Sequence, residues 1–152
     1  MEACIEYSSI SQCLEKEGMI ATTIRGYSMY PMLKSGRDCV VCRRYTGNAR
    51  KYDVLLYVSN GKLVLHRVIS NKRNDGRLVI RGDNCFNKEY VPEESVMGIL
   101  TDFTRKNRDY TVDSGGYRLY SVLIVLFSPL VRLKILVKSF LSRLKRKISG
   151  KR

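Results

Sequence analysis

The sequence predicts a mainly β domain, a small coiled or barrel-like sheet, with a short helix before it and an amphipathic helix after it. At least six short β-prone runs are separated by turn signals, as is typical of small β domains. The 152 residues, of which 44% are hydrophobic, suffice for one core. After Arg118 the chain becomes an uncharged run over residues 119–131, followed by a basic segment. We therefore predict a β domain over residues 1–116 and an appendage over residues 117–152.

The first elements lead to a tight turn. Residues 3–17 have apolar side chains at helical spacing and predict a short helix that stops at Gly18. This helix is too polar to span a bilayer. A strand is predicted over residues 19–25, and Gly26 then gives the backbone the freedom for a turn.

The strongest hairpin signal is Asn60-Gly61, which separates an apolar run at residues 54–58 from a return strand at residues 62–70. Alternate residues of a strand face opposite sides, so His66 and Arg67 are predicted to lie on opposite faces. The residues on the first of these faces are Val64, His66 and Val68.

The remaining strands are shorter. They are predicted over residues 39–44, 78–81, 96–104 and 110–112. Gly82-Asp83-Asn84 directly follows the second of these, and residues 92–94 are predicted to form a loop.

The five cysteines do not suggest a disulfide framework, because their number is odd and nothing at the N-terminus resembles a secretion signal. Cys39 and Cys42 have the spacing of a redox or zinc motif. They lie in a run with strand character, where side chains three apart point to opposite faces and do not converge on one ion. We predict that they are strand residues and that the protein uses no metal and no organic cofactor.

Three residues offer a nucleophile, a base and a carboxylate. Ser28 precedes Pro31 in a turn, where its hydroxyl could also act only as a helix cap. His66 is the only histidine of the chain and could instead be a structural core residue. Asp83 follows a strand and could simply shape a turn. Together the three residue types suit nucleophilic catalysis, since a serine needs a base and an imidazole base works best when a carboxylate fixes its tautomer.

Three motifs resemble the signal peptidase I family. They are Gly-x-Ser-Met-x-Pro-x-Leu at residues 26–33, His-Arg-Val-Ile at residues 66–69 and Gly-Asp-Asn at residues 82–84, and the resemblance covers residues 24–100. The family uses a lysine base in most bacterial members and a histidine base in archaeal, endoplasmic-reticulum and some Gram-positive members. Self-cleaving repressors share the serine-centred fold, but they use a lysine base and carry an upstream DNA-binding domain, for which 25 residues are too few.

The resemblance implies a role for each site residue. Ser28 would attack a peptide carbonyl, His66 would move the proton and Asp83 would orient His66. Backbone N–H groups near Ser28, with Gly26 and Met29, would hold the oxyanion and position the substrate. In histidine-type members a second aspartate follows six residues after the Gly-Asp-Asn aspartate. That position here is Glu89, so Glu89 is the alternative orienting acid.

The net charge of +14 is concentrated in the tail. Residues 132–152 contain nine Lys and Arg and no acidic residue, and an apolar stripe runs along the same segment. The β domain lacks the basic stripe with interleaved aromatics that tracks nucleic acid. The tail, residues 118–152, is therefore predicted to be an interfacial helix on an anionic membrane surface, or else a helix packed on its own domain or a partner.

We expect a membrane-associated serine endopeptidase that cleaves leader or signal-type peptides held extended against a sheet edge. The basic tail favours the cytoplasmic face. The alternative is a non-catalytic peptide-binding or scaffold protein of the same fold, docked by its tail to a membrane or partner.

Overall fold

A computed structural model describes residues 2–74 and 76–130, together with 133 and 137. It contains two α-helices, α1 (Glu2–Glu17) and α2 (Gly115–Leu126), and one short 3₁₀ turn at Glu93–Ser95. The strands are β1 (Met19–Thr23), β2 (Cys39–Arg44), β3 (Val54–Ser59), β4 (Lys62–Asn74), β5 (Arg77–Arg81), β6 (Glu89–Pro92), β7 (Val96–Arg105) and β8 (Arg108–Thr111). The prediction of a mainly β chain with a helix before the strands is confirmed.

All eight strands belong to one antiparallel sheet. The order is β1-β2-β7-β3-β4-β5-β6, with β8 paired to β7. The sheet is open, because β1 and β6 are its two ends. The Asn60-Gly61 turn sets the register of the central hairpin, in which Leu55 lies opposite His66.

The strand β6 was not predicted, because residues 88–94 were assigned to polar loops. Four residues ending in Pro92 are a weak strand signal. They become a strand because β5 offers its free edge, and the pairing places Glu89 opposite Ile80. Proline is tolerated there since β6 is an edge strand.

The sheet buries apolar side chains on both faces. The first core includes Leu14, Met29, Met32, Leu33, Val40, Leu56 and Leu100, and the second core includes Leu55, Tyr57, Val68, Leu78, Ile80 and Val91. On β4 the residues Leu63 and Leu65 pack on the first core, and Val64 packs on the second. The predicted alternation along this strand is confirmed.

The helix α2 begins at Gly115, two residues before the predicted start of the tail. Ser114 caps it, with its hydroxyl accepting the N–H of Tyr117 at 3.3 Å. Tyr117 and Tyr120 pack on the first core, so the start of α2 lies on the domain itself. Over the ranges described, neither helix is long and apolar enough to cross a bilayer. Of the predicted apolar stripe from Leu133 to Leu144, only Leu133 and Val137 lie among the described residues.

Candidate active site

The turn that carries Ser28 is held by its own apolar residues. Gly26 leaves the strand with φ of +85°, a value that side-chain-bearing residues rarely adopt. Met29, Met32 and Leu33 are then buried in the first core, and the Leu33 N–H donates to the Met29 carbonyl at 2.9 Å. Ser28 is left half-buried at the surface. Among the described residues, the Ser28 hydroxyl accepts no hydrogen bond from a backbone N–H. The structure therefore shows no capping bond for this serine.

His66 projects from β4 into a small polar cluster. Its Nδ1 lies 2.9 Å from Oε1 of Glu89 and 3.1 Å from the hydroxyl of Tyr57. The Tyr57 hydroxyl donates to the second oxygen of Glu89 at 2.8 Å. We name these three residues, Tyr57, His66 and Glu89, the His66 cluster. A carboxylate at Nδ1 assigns the imidazole proton to that nitrogen and leaves Nε2 as the acceptor.

The imidazole is held in its neutral form. Burial lowers the pKa of His66 below its usual 6.5, and the nearby Glu89 and Asp83 charges oppose this only in part. Only 6% of the residue is exposed. A neutral imidazole near neutral pH is the form that accepts a proton, so His66 has the state that a general base requires.

Gly82 brings Ser28 and His66 together. A Cβ at this position would lie 2.8 Å from the Ser28 carbonyl oxygen, 2.9 Å from Nε2 of His66 and 2.7 Å from the sulfur of Cys85. Because carbon atoms do not approach this closely, only glycine fits. The Ser28 backbone and the free nitrogen of His66 therefore flank the same point.

Asn84 fastens the Ser28 turn to the same loop. Its backbone N–H donates to the Ser28 carbonyl at 2.7 Å, and its side-chain amide donates to the Tyr27 carbonyl at 3.2 Å. The Gly-Asp-Asn motif thus positions the serine through its glycine and asparagine. In the part of the chain that the structure describes, no hydrogen bond joins the Ser28 hydroxyl to His66. Such bonds are often long in unliganded enzymes.

Asp83 does not contact His66. Its carboxylate pairs with Arg67, with distances of 2.8 Å to Nε and 2.9 Å to Nη2. It was predicted to orient His66, but the acid at Nδ1 is Glu89, the predicted alternative. The register between β4 and β5 explains why Asp83 does not reach His66. Arg67 is opposite Arg81, so Gly82 falls on the His66 face and Asp83 on the Arg67 face.

The same register accounts for Glu89. It lies opposite Ile80, which lies opposite Val68, and Val68 shares its face of β4 with His66. Residues directly opposite one another in a sheet share a face, so Glu89 reaches His66. The pairing of β6 with β5, which sequence patterns did not predict, is therefore what delivers this carboxylate.

Arg67 and Asp83 form a second polar cluster on the first-core side. Arg67 is fully buried, and its guanidinium also donates to the Tyr52 carbonyl and to Tyr117 and Ser121 on α2. The Tyr120 hydroxyl donates to Asp83 at 3.3 Å. We name the set of Arg67, Asp83, Tyr117, Tyr120 and Ser121 the Arg67 cluster. It ties α2 to the loop that holds Ser28 and His66.

The predicted oxyanion residues have different surroundings. The Gly26 N–H donates to the Ser35 hydroxyl at 3.1 Å, which occupies this donor. The side chain of Met29 is buried, so Met29 offers its backbone alone. Within the described residues, the N–H groups of Ser28 and Met29 have no acceptor. These two groups are the available donors beside the serine.

A cleft of about 410 Å³ leads to Ser28 and His66. Residues 22–26 and residues 62–65 line it, and Val40 and Leu56 from the strands between them form part of its apolar lining. The start of β4 pairs only with β3, because β5 first pairs at Arg67. Among the described residues β1 also has one partner, β2. Two unpaired strand edges therefore border the cleft.

Cys85 is the thiol beside this site. Burial and the Glu89 charge raise the pKa of its thiol. Cys39 and Cys42 are free cysteines within β2, as predicted, with Cys39 exposed and Cys42 buried. Over the described ranges no group of three or more potential ligands could hold a metal ion.

No known family model matches this chain, and no curated protein is significantly similar to it. The site is therefore interpreted from its geometry and from the three motifs. Sequence reasoning did not assign a role to Tyr57. The hairpin register contains the signal, since Tyr57 lies two residues from Leu55, the direct partner of His66, and on the same face.

Proposed function

We propose that this protein is a serine endopeptidase of the signal peptidase I type, with Ser28 as nucleophile, His66 as general base and Glu89 as the orienting acid. The observation that carries the proposal is the His66 cluster. In this cluster the imidazole is neutral and its Nδ1 contacts the Glu89 carboxylate. Its Nε2 lies beside Gly82, next to the loop that carries the half-buried Ser28. This is the logic of a catalytic triad.

In the proposed reaction, the Ser28 oxygen attacks the carbonyl carbon of the scissile peptide bond while Nε2 of His66 takes the hydroxyl proton. The N–H groups of Ser28 and Met29 donate hydrogen bonds to the oxyanion and stabilise its developing negative charge. The C–N bond then breaks and His66 returns its proton to the leaving amine. A water molecule, deprotonated by His66, hydrolyses the acyl ester and regenerates the serine.

The cleft supports an extended peptide as substrate. A segment lying between the unpaired edges of β1 and β4 can form backbone hydrogen bonds to either strand. The apolar lining favours uncharged side chains next to the scissile bond. By resemblance to the family, the substrate class is a leader or signal-type peptide with small residues before the cut.

Incubation of the full-length protein with a peptide library, with the cuts mapped by mass spectrometry, tests this function. We expect cleavage by the wild type and none by Ser28→Ala, which loses at most a bond worth about 1 kcal/mol of stability. Ser35→Ala is the matched control, since that serine contacts only the Gly26 backbone. Equal cleavage by wild type and Ser28→Ala would contradict the proposal.

A non-catalytic peptide-binding role is the second candidate. The observation in its favour is that Ser28 and His66 share no hydrogen bond among the described residues. Binding of library peptides without any cleavage, by wild type and Ser28→Ala alike, would establish this alternative.

We also propose that the protein binds an anionic membrane surface at the cytoplasmic face through residues 118–152. From Leu119 onward, the exposed side chains of α2 and of the described residues after it include a set of apolar ones, and these are Leu119, Val122, Leu123, Leu126, Phe127, Leu130 and Leu133. The basic residues beyond them add attraction to anionic headgroups.

Flotation of the full-length protein with vesicles tests the membrane proposal. We expect binding to vesicles that contain phosphatidylserine, weaker binding to phosphatidylcholine vesicles, and loss of binding in the double variant Leu119→Glu and Leu126→Glu. Tyr90→Glu, at an exposed aromatic residue of β6, is the control. Wild-type protein that never floats would contradict the proposal.

A further inference from the structure

The charged side chains that line the cleft are all positive. Among the residues that line it, the charged side chains are Arg25 and Lys62, and neither aspartate nor glutamate is present. Lys62 is exposed, and its ammonium group forms no ion pair with the described residues. The cleft is therefore apolar along most of its lining, with Lys62 as an exposed cation at its border.

Lys62 lies along β4 at some distance from the catalytic end. Both lining segments run toward it, from Thr22 to Ser28 and from Lys62 to His66. Four residues of strand separate Lys62 from His66, which corresponds to roughly 13 Å. Arg25 precedes Ser28 by three residues. A positive region thus lies several residues away from the bond to be cut.

The register of β4 defines which substrate side chain would meet Lys62. Lys62, Val64 and His66 share one face of the strand, because side chains alternate. A peptide added to the free edge of β4 places each residue on the same face as its direct partner. The side chain opposite Lys62 therefore lies four residues from the one opposite His66.

We infer that Lys62, at the free edge of β4 that borders the cleft, forms a carboxylate subsite on the second-core face of that strand, and that the protein selects extended peptides with an aspartate or glutamate about four residues from the scissile bond. This inference rests on the proposed function for the position of that bond. The apolar lining selects the residues between the acid and the cut.

The expected preference is small and depends on salt. Exposed ion pairs contribute little, so an acidic residue at this position should raise kcat/KM about three- to fivefold over glutamine. Because the pair is solvent-exposed, the preference should vanish at about 1 M NaCl, where the Debye length falls to about 3 Å.

The test uses a peptide that the wild-type protein cuts, in which one glutamate or one lysine is moved through the five positions on each side of the bond. The kcat/KM values of wild type, Lys62→Glu and Lys106→Glu are compared. Lys106 is the matched control, because it undergoes the same charge change outside the cleft. In parallel, the Kd of each labelled peptide is measured on full-length Ser28→Ala, so that recognition is assessed without chemistry.

We expect one position, about four residues from the bond, to favour glutamate in wild type and in Lys106→Glu, and to favour lysine in Lys62→Glu. The Kd values should follow the same order. Values of kcat/KM and Kd that do not depend on charge at any position would overturn the subsite and leave the endopeptidase proposal standing. Charge-selective binding without any cleavage would support the subsite and contradict the endopeptidase.

Discussion

The two faces of β4 carry two polar clusters of very different character. His66 and Arg67 are consecutive, and each has a carboxylate partner within 3 Å. The Glu89 side chain is 32% exposed, whereas the Asp83 side chain is 2% exposed. The Arg67 cluster is thus a closed ion pair inside the first core, and the His66 cluster opens toward solvent beside the cleft.

This difference separates scaffold from chemistry. Arg67 is permanently charged and satisfied on every side, so it can hold elements together but cannot exchange a proton. His66 is kept neutral by burial and has a free nitrogen next to Ser28. In the proposed mechanism the proton transfers therefore belong to the face of His66, and the face of Arg67 supports the loops.

Leaving aside Glu89 itself, the largest effect is expected from breaking the Arg67 pair. Asp83→Asn leaves a buried guanidinium without its counter-charge, which should cost about 3–5 kcal/mol of unfolding free energy in urea titrations. The double variant Arg67→Met and Asp83→Leu should regain part of this loss, because it buries no charge. An unchanged urea midpoint for Asp83→Asn would refute the scaffold role.

The next largest effect concerns Gly82, where the two faces meet. Gly82→Ala should lower kcat about 100-fold, because the methyl group displaces Ser28 and His66 from one another. Gly116→Ala is the control, since no atom lies within 4 Å of its added Cβ. Full activity of Gly82→Ala would mean that the contact between the Ser28 loop and His66 is not needed.

The pH dependence of activity should report the protonation of His66. Because the folded-state pKa of His66 lies below 6.5, kcat/KM should stay high at pH 6.5 and fall only at lower pH. The contribution of His66 to folding stability depends on pH in the same direction. It is fully present above the unfolded pKa of 6.5 and is lost as pH falls toward the folded pKa, since the unfolded state binds the proton first. In Glu89→Gln the activity profile should move to still lower pH, because Glu89 raises this pKa. A midpoint above 6.5 would contradict the neutral imidazole.

The smallest effect is expected from Tyr57→Phe. The hydroxyl donates to Glu89 and contacts Nδ1, while the ring packs in the second core. Its removal should lower kcat about fivefold, equivalent to about 1 kcal/mol for one hydrogen bond, with the fold intact. Loss of folding in this variant would place Tyr57 in the scaffold instead.

Local patterns predicted much of this arrangement. The hairpin at Asn60-Gly61, the strand that carries His66 and the opposite face of Arg67 follow from turn chemistry and alternation. The open sheet and the pairing of β6 could not be read from local patterns, because a four-residue strand forms only when a neighbouring edge is available.

The identity of the acid at His66 illustrates the limit. Asp83 was favoured because it belongs to the Gly-Asp-Asn motif, but its side chain is one residue out of phase with His66. The register of β5 and β6 decides this, and both registers depend on long-range pairing. The contacts of α2 with Arg67 likewise depend on tertiary packing, so a tail beginning at residue 117 was defined by composition alone.

The most direct test of the division between the two faces is the kcat of Glu89→Gln, measured per folded molecule on a peptide that the wild type cuts. We predict a loss on the order of 10⁴, since the imidazole loses the carboxylate that fixes its tautomer. Glu94→Gln, an exposed neighbour, should keep wild-type kcat, and folded Asp83→Asn should stay within about tenfold of it. The opposite result, a loss of about 10⁴ in folded Asp83→Asn with wild-type kcat in Glu89→Gln, would contradict the assignment and return the orienting role to Asp83.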